Sequence, residues 1–548
     1  MKPAKKNKWW LGTTLLETLV LFSIHSIMIW KMNNFGTIKY CYLLTSLLQV
    51  VLRAVGYRGT WAMTSDWFKS KRHANMGLAY SFYLPQIFLM ALHINYDLTI
   101  PFFRNSSFSP LIMDYIYISY CMNLIVITII AFSESLYSSK IFIIFLCLLY
   151  PIIELGVYNK HYSFHIPCIM FAVLVFYLSR YFPECFTYGE YSIFCQVIVL
   201  NSLLLFQKYY IKIIPYKKLF KIQLSTSIIL SCIFASFATI VIYSLSNALY
   251  NRAAHRWGIL FEFFSFICSC SVLLLSLQIA LARQNIIQLL KWFLDYIFVS
   301  HRFCLVMWLL FCVLITIVYL WIVFKNPNIC QATILRKFFH FIVVFAYIPA
   351  IILDVEFLSI ASSLMLWLFC VNEAIRLSKF TKISSVINSG ITPYLTKSNS
   401  WFIVPNHFLL LIATSLPLWT MNFVYFGSFS NSHNAYRKIY LLSTLGSVGI
   451  GDAVASVVGV KFGRHKLCLG RKSIEGMLAS IVFQFTFFAI LFRIFSKTIF
   501  PLYFDLIFLI CAVVTSLLEA LTMQEDNIIV PVITISLMIA LFPSTDGI

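Results

Sequence analysis

Asp452 stands at the end of an apolar run, directly after the glycine-rich stretch GSVGIG. It opens the segment GDAVASVVGVKFGRHKLCLGRKSIEG (451–476), which holds five glycines, two acidic residues, five Lys/Arg and a histidine. A carboxylate in that position can hold a divalent cation carrying a triphosphate. Gly459, Gly463 and Gly470 permit close backbone approach and positive φ. Arg464, Lys466, Arg471 and Lys472 supply cations for a polyphosphate. SIEG then opens a new helix, whose N-terminus favours anions. The stretch GRHKLCLGRKS only superficially resembles the phosphate loop GxxxxGK[ST]. Its glycine spacing is wrong, Arg471 intervenes before Lys472, and no strand precedes it.

Three further stretches carry ionisable groups at the edge of apolar runs. In LRKFFH (335–340), Arg336, Lys337 and His340 share a helix face; a plain basic anchor is the alternative. CVNEAIR places Glu373 and Arg376 at i, i+3, as a helix-end ion pair or a site pair. In SLLEALTMQEDNIIVPV (516–532), Glu519 and Asp526 fall roughly two turns apart on one helical face. There a simple charged break between two spans competes with a site role. Taken together, acids, cations and glycines on one side of a helix bundle suit metal-assisted chemistry on a phosphate. The acceptor is then a lipid, because the whole site is embedded among spans.

The elements that must position these groups are membrane helices. The chain is 61% hydrophobic and 11% charged, against roughly 25% charged for a soluble domain. Apolar runs long enough to cross a bilayer recur throughout, and their backbone polar groups must be bonded internally. They are continuous, unlike the short alternating segments of a membrane barrel. The reading is an all-α polytopic integral membrane protein with roughly 13–17 transmembrane helices. Spans are expected near 163–181, 190–206, 224–249, 257–282, 303–324, 338–353, 357–375, 402–426, 438–459, 476–495, 499–519 and 528–542, and five more before residue 158. Residues 1–300 form an N-terminal helical region with few polar groups inside spans. Residues 301–548 carry the ionisable ones and form the catalytic region.

Forty-one Lys/Arg against 20 Asp/Glu give a net charge of +21. The basic residues are scattered between spans, as the positive-inside rule requires, and form no compact basic domain, which excludes nucleic acid as a partner. The 15 cysteines sit mostly in apolar runs without metal-ligand spacing. Lys2, Lys5, Lys6 and Lys8 place the N-terminus in the cytosol. The basic DWFKSKRH (66–73) is cytosolic again, and the sequon at 105–107 is lumenal. The basic segment 208–223 breaks this alternation by one span.

The 451–476 run closely resembles the nucleotide loop of dolichol kinases, endoplasmic reticulum enzymes that use CTP to phosphorylate the terminal hydroxyl of dolichol. LRKFFH, VNEAIR and LLEALTMQEDNIIVP resemble that family's other blocks, in the same order, so the likeness covers about 333–543. It implies that Gly459, Gly463, Arg464, His465, Lys466, Gly470, Arg471, Lys472, Ser473, Glu475 and Gly476 surround CTP. It makes Asp452 and Asp526 metal or catalytic carboxylates for Mg2+ or Ca2+. Arg336, Lys337 and His340 then lie near the phosphates, with His340 one choice of general base. The implied partners are a dolichol or polyprenol lipid and the bilayer, and the nucleotide site faces the cytosol. Two segments depart from the family pattern. Residues 395–419 lack its acidic, glycine-containing stretch, and Leu467 to Gly470 replace its usual Trp-Pro-Gly. Related CTP-using lipid enzymes (diacylglycerol kinase or phosphatidate cytidylyltransferase) are the nearest alternatives. A transporter or flippase is another, and it predicts inverted repeats that the sequence lacks.

Overall fold

A computed structural model describes residues 165–181, 186–187, 189–199, 224–252, 258–281, 286–326, 332–378, 382–391, 406–421, 431–467, 472–496, 502–522 and 524–541, with isolated positions before 165. The N-terminal lysines, the sequon, the 66–73 and 208–223 segments, Gly470 and Arg471 lie outside the described residues.

The described chain is helical. Its elements are α1 (His165–Tyr181), α2 (Gly189–Val199), α3 (Leu224–Arg252), α4 (Gly258–Leu281), α5 (Ile286–Ile297), α6 (Ser300–Lys325), α7 (Ala332–Leu353), α8 (Val355–Ser378), α9 (Lys382–Ile391), α10 (Asn406–Thr420) and α11 (Asn431–Thr444). A π-helical segment, Leu445–Gly451, leads into α12 (Asp452–Lys461), then α13 (Ile474–Ser496), α14 (Leu502–Leu521) and α15 (Asp526–Leu541). Among the described residues, eight helical runs are long and apolar enough to cross a membrane, and Ala435–Lys461 forms one of them through the π segment. The chain is an all-α polytopic membrane protein. The expected spans from residue 163 onward each correspond to a helix. α5 and α9 are additional short helices at span edges.

The chain divides into two compact units. One holds residues 1–204, 466–472 and 517–548; the other holds 205–465 and 473–516.

In the second unit, α3 packs between α4 and α8. Small and hydroxylic side chains make that possible: Ser231, Cys232, Ala235 and Thr239 of α3 are buried. Small residues let membrane helices approach closely. The Ser231 and Thr239 hydroxyls donate to the carbonyls of Ser227 (2.9 Å) and Ala235 (2.8 Å), so neither is left unsatisfied in an apolar interior. α6 does the opposite: Met307, Leu314, Ile317 and Trp321 are exposed along its length, as a lipid-facing helix requires.

α7 turns into α8 at Asp354. Its carboxylate accepts the Phe357 N–H (2.9 Å) as a helix N-cap and the Arg302 Nε–H (2.7 Å) of α6. Burial pushes the Asp354 carboxyl up, but these hydrogen bonds outweigh it and hold it below the usual range.

α11, α13 and α14 meet through aromatic rings. Tyr436, Phe492 and Phe504 pack with centroids 5.1–5.5 Å apart, and Phe488 lies under Phe508. A buried polar knot adds to this. Gln484 Nε2 donates to Ser480 (2.8 Å) and Ser516 (3.0 Å), and its Oε1 accepts from Thr515 (2.9 Å).

Candidate active site

The second unit brings three of the expected residues together. Lys337 Nζ on α7 lies 2.6 Å from Asp452 Oδ2 at the start of α12, and both side chains are buried. His340, one turn along α7, has Nδ1 3.7 Å from the same oxygen. Ser456 donates to Asp452 Oδ1 at 3.3 Å. A charge pair inside a membrane bundle costs desolvation at both partners, which makes this pair a candidate for a functional site.

The π segment sets this geometry. Asp452 N–H donates to Ser447 O, five residues back, rather than to Val448 O, four back. Val448 O instead accepts from His340 Nδ1 at 3.0 Å. A carbonyl can only accept, so Nδ1 carries the hydrogen, and His340 can take a proton only at Nε2. Single π turns of this kind recur at functional sites.

The glycines act here by closeness of packing. A Cβ on Gly446 would meet the buried Phe488 ring at 2.5 Å, and one on Gly449 would meet Val344 Cγ2 at 2.5 Å. One on Gly451 would strike Gln484. The π segment can therefore lie directly on α7, which is how Lys337 and His340 reach Asp452.

Gly459, Gly463 and Gly476 converge around Ser473. A Cβ on Gly459 would lie 3.0 Å from Ser473 Oγ, one on Gly476 would lie 2.6 Å from Ala455 O, and one on Gly463 would overlap Gly459 O. None of the three has a positive φ. Of the two uses open to Gly459 and Gly463, the structure shows close approach: the space a side chain would need is filled by chain.

Ser473 caps α13 by accepting the Gly476 N–H at 3.2 Å. Glu475 Oε1 accepts from Arg464 N–H (3.1 Å), His465 N–H (2.9 Å) and His465 Nδ1 (2.8 Å). Glu475 therefore works as a clasp on the preceding turn, and its own carboxylate occupies the negative position at the helix start. The Arg464 side chain and Lys466 are exposed and make no ion pair among the described residues. Arg336 is half-buried, and its Nε meets no acceptor among the described residues.

The first unit holds the other carboxylates. Lys472 Nζ lies 3.1 Å from Glu519 Oε1 and 3.4 Å from Asp526 Oδ2. Glu519 is buried, while Lys472 and Asp526 are about one-third exposed, at 34% and 30%. Asp526 begins α15 and accepts the Asn527 N–H at 3.1 Å. The helical spacing that paired Glu519 with Asp526 in the sequence holds only in outcome. α14 ends at Leu521 and α15 starts at Asp526, so the two acids sit on different helices joined by a turn.

Glu373 and Arg376 form a bidentate pair at 2.6 and 2.8 Å, and Arg376 also donates to Asn388 of α9. That arrangement fastens α9 to α8. Sequence reasoning missed Ser456, and also Thr187, Glu190 and Gln524, whose roles appear only with their partners.

The family model described as dolichol kinase matches residues 166–448. The chain belongs to the dolichol kinase family. Human dolichol kinase is 28% identical over 389 residues, 68% of each chain. The bovine protein is 29% identical over 262 residues, 46% of this chain and 47% of its own. The mouse protein is 32% identical over 209 residues, 38% of each. The matches thus span less than half of the bovine and mouse relatives. No solved structure matches. The family match begins in α1, well before the blocks that carried the resemblance in sequence, and ends in the π segment.

Proposed function

We propose that the chain is a CTP-dependent dolichol kinase of the endoplasmic reticulum membrane, with its nucleotide site facing the cytosol. It would supply dolichyl phosphate to glycosylation. The observation that carries this reading is the buried Lys337–Asp452 pair beside His340, in a member of this family.

The reaction joins the dolichol hydroxyl oxygen to the γ-phosphorus of CTP and breaks the bond from that phosphorus to the β,γ-bridging oxygen. CDP leaves, and the hydroxyl proton passes to a base. Positioning and charge neutralisation do most of the work in such transfers. Arg336, Arg464, Lys466 and Lys472 are the cations we assign to the phosphates. Lys337 holds the Asp452 carboxylate in place. His340 is the base we favour, acting through Nε2 while its Nδ1–H is held by Val448 O.

The donors offer only oxygen, which suits a hard cation such as Mg2+ or Ca2+: Asp452 with Ser456 in one unit, Glu519 with Asp526 in the other. Asp452 and Asp526 are the carboxylates that would hold such an ion in their respective units, and a bound ion would add charge neutralisation on the polyphosphate.

The test is transfer by purified protein in detergent, with CTP labelled at the γ-phosphate, dolichol and Mg2+. Labelled dolichyl phosphate with CDP supports the reading. Release of pyrophosphate points to a cytidylyltransferase instead. Absence of both products, with no thermal shift on adding CTP, fits a transporter.

A further inference from the structure

The loop that delivers Asp526 is held from a distant part of the first unit. Thr187 and Glu190 form a reciprocal capping box at the start of α2. Thr187 N–H donates to Glu190 Oε2 at 2.8 Å, and Glu190 N–H donates to Thr187 Oγ1 at 3.3 Å. An ordinary capping box ends there. Here the same two side chains reach 335 residues along the chain: Glu190 Oε1 accepts the Glu525 N–H at 2.8 Å. The Thr187 hydroxyl also donates to Gln524 Oε1 at 2.5 Å. Gln524 N–H in turn donates to Thr522 Oγ1 at 3.1 Å. Thr187 is fully buried, and Glu190 and Gln524 are nearly so.

A buried carboxylate is expensive unless its oxygens are bonded. Both Glu190 oxygens have backbone N–H donors, one on its own helix and one on the residue before Asp526. A neutral helix cap needs no charge, and a serine would suffice for α2. The charge strengthens the bond to the Glu525 amide. It fixes the connection from α14, which carries Glu519, to α15, which begins at Asp526, and both acids meet Lys472.

We infer that Glu190, assisted by Thr187, is a positioning residue for phosphoryl transfer: the two hold Glu525 and Gln524, directly before Asp526, so that Asp526 and Glu519 share Lys472. The inference rests on the kinase reading above. A site displaced by an ångström costs turnover more than substrate affinity.

The test uses full-length Glu190→Gln, which keeps the shape but offers one acceptor oxygen for two N–H donors. Three quantities are read: transfer from γ-labelled CTP to dolichol, the melting temperature in detergent, and hydrogen exchange of peptides covering 520–530. We expect kcat to fall about tenfold or more, KM for dolichol to hold within twofold, and exchange to rise at 520–530. Thr187→Val, which removes only the hydroxyl bonded to Gln524, is expected to give the same pattern at smaller amplitude. It replaces Glu190→Gln if that variant does not fold. Unaltered kcat with raised exchange overturns the inference, as does lower kcat with exchange raised throughout the chain. No transfer by the unaltered protein overturns the kinase reading itself. In that case exchange at 520–530 still reports whether the clasp exists.

Discussion

Lys337 Nζ lies 2.6 Å from Asp452 Oδ2, joining α7 to the start of α12 across 115 residues of sequence. Each charge is tolerable there only because of the other. Removing Lys337 strands a buried carboxylate, which typically costs about 3–5 kcal/mol. Lys337→Met is therefore expected to melt well below the unaltered protein. Lys337→Met with Asp452→Asn removes both charges and recovers much of that loss. Melting of the two single variants and the double variant in detergent measures the coupling.

The π segment depends on the absence of side chains. Gly446→Ala forces a methyl into the Phe488 ring, an overpacking expected to cost about 1–3 kcal/mol. Gly449→Ala presses on Val344 and separates the segment from α7, so it should reduce turnover by more than its stability loss explains. Gly390 has nothing within 4 Å of a Cβ, so Gly390→Ala serves as the neutral control. Parallel melting and turnover measurements check all three.

His340 offers a cleaner separation of roles. An asparagine can still donate an N–H toward Val448 O but has no titratable nitrogen. If His340 is the base, His340→Asn lowers kcat by about 10^2–10^4-fold with little change in melting. A positioning role alone leaves most of the activity. The comparison is kcat against pH for both proteins.

Asp354 lies at the far end of α7 from Lys337 and is expected to matter for stability alone. Asp354→Ala loses a helix cap worth about 0.5–2 kcal/mol, with kcat unchanged. The pH dependence has a definite sign. The folded carboxyl titrates below its unfolded value, so its contribution is present above the usual carboxylate range. It fades as pH falls through the folded pKa. Melting of the two proteins should therefore converge below about pH 4.

Much of this architecture was legible in the sequence for one reason: lipid leaves the backbone few choices, so long apolar runs have to be helices. Lys337, His340 and Asp452 stood out because charge inside such a run is costly. The π turn was not legible, because a one-residue change in hydrogen-bond register leaves no mark in composition. GSVGIG read only as a glycine-rich end of an apolar run; the reason for its glycines comes from Phe488, Val344 and Gln484 on other helices. The resemblance implied that Glu475 lies near the nucleotide; that it also accepts from the Arg464 and His465 amides was not legible, because those donors come from the preceding turn. TYGE (187–190) carries the capping-box pattern openly, yet its second use depends on an amide that only folding brings near. α5 and α9 escaped notice because they are too short to register as spans.

The most direct measurement is turnover of Asp452→Asn, which keeps the side chain's shape and removes its charge. It should be assayed with γ-labelled CTP, dolichol and Mg2+ beside the unaltered protein, with melting recorded for both. Formation of labelled dolichyl phosphate by the unaltered protein, and its loss by at least about 10^3-fold in a variant that still folds, is the predicted result. Equal turnover by the two proteins would contradict the account.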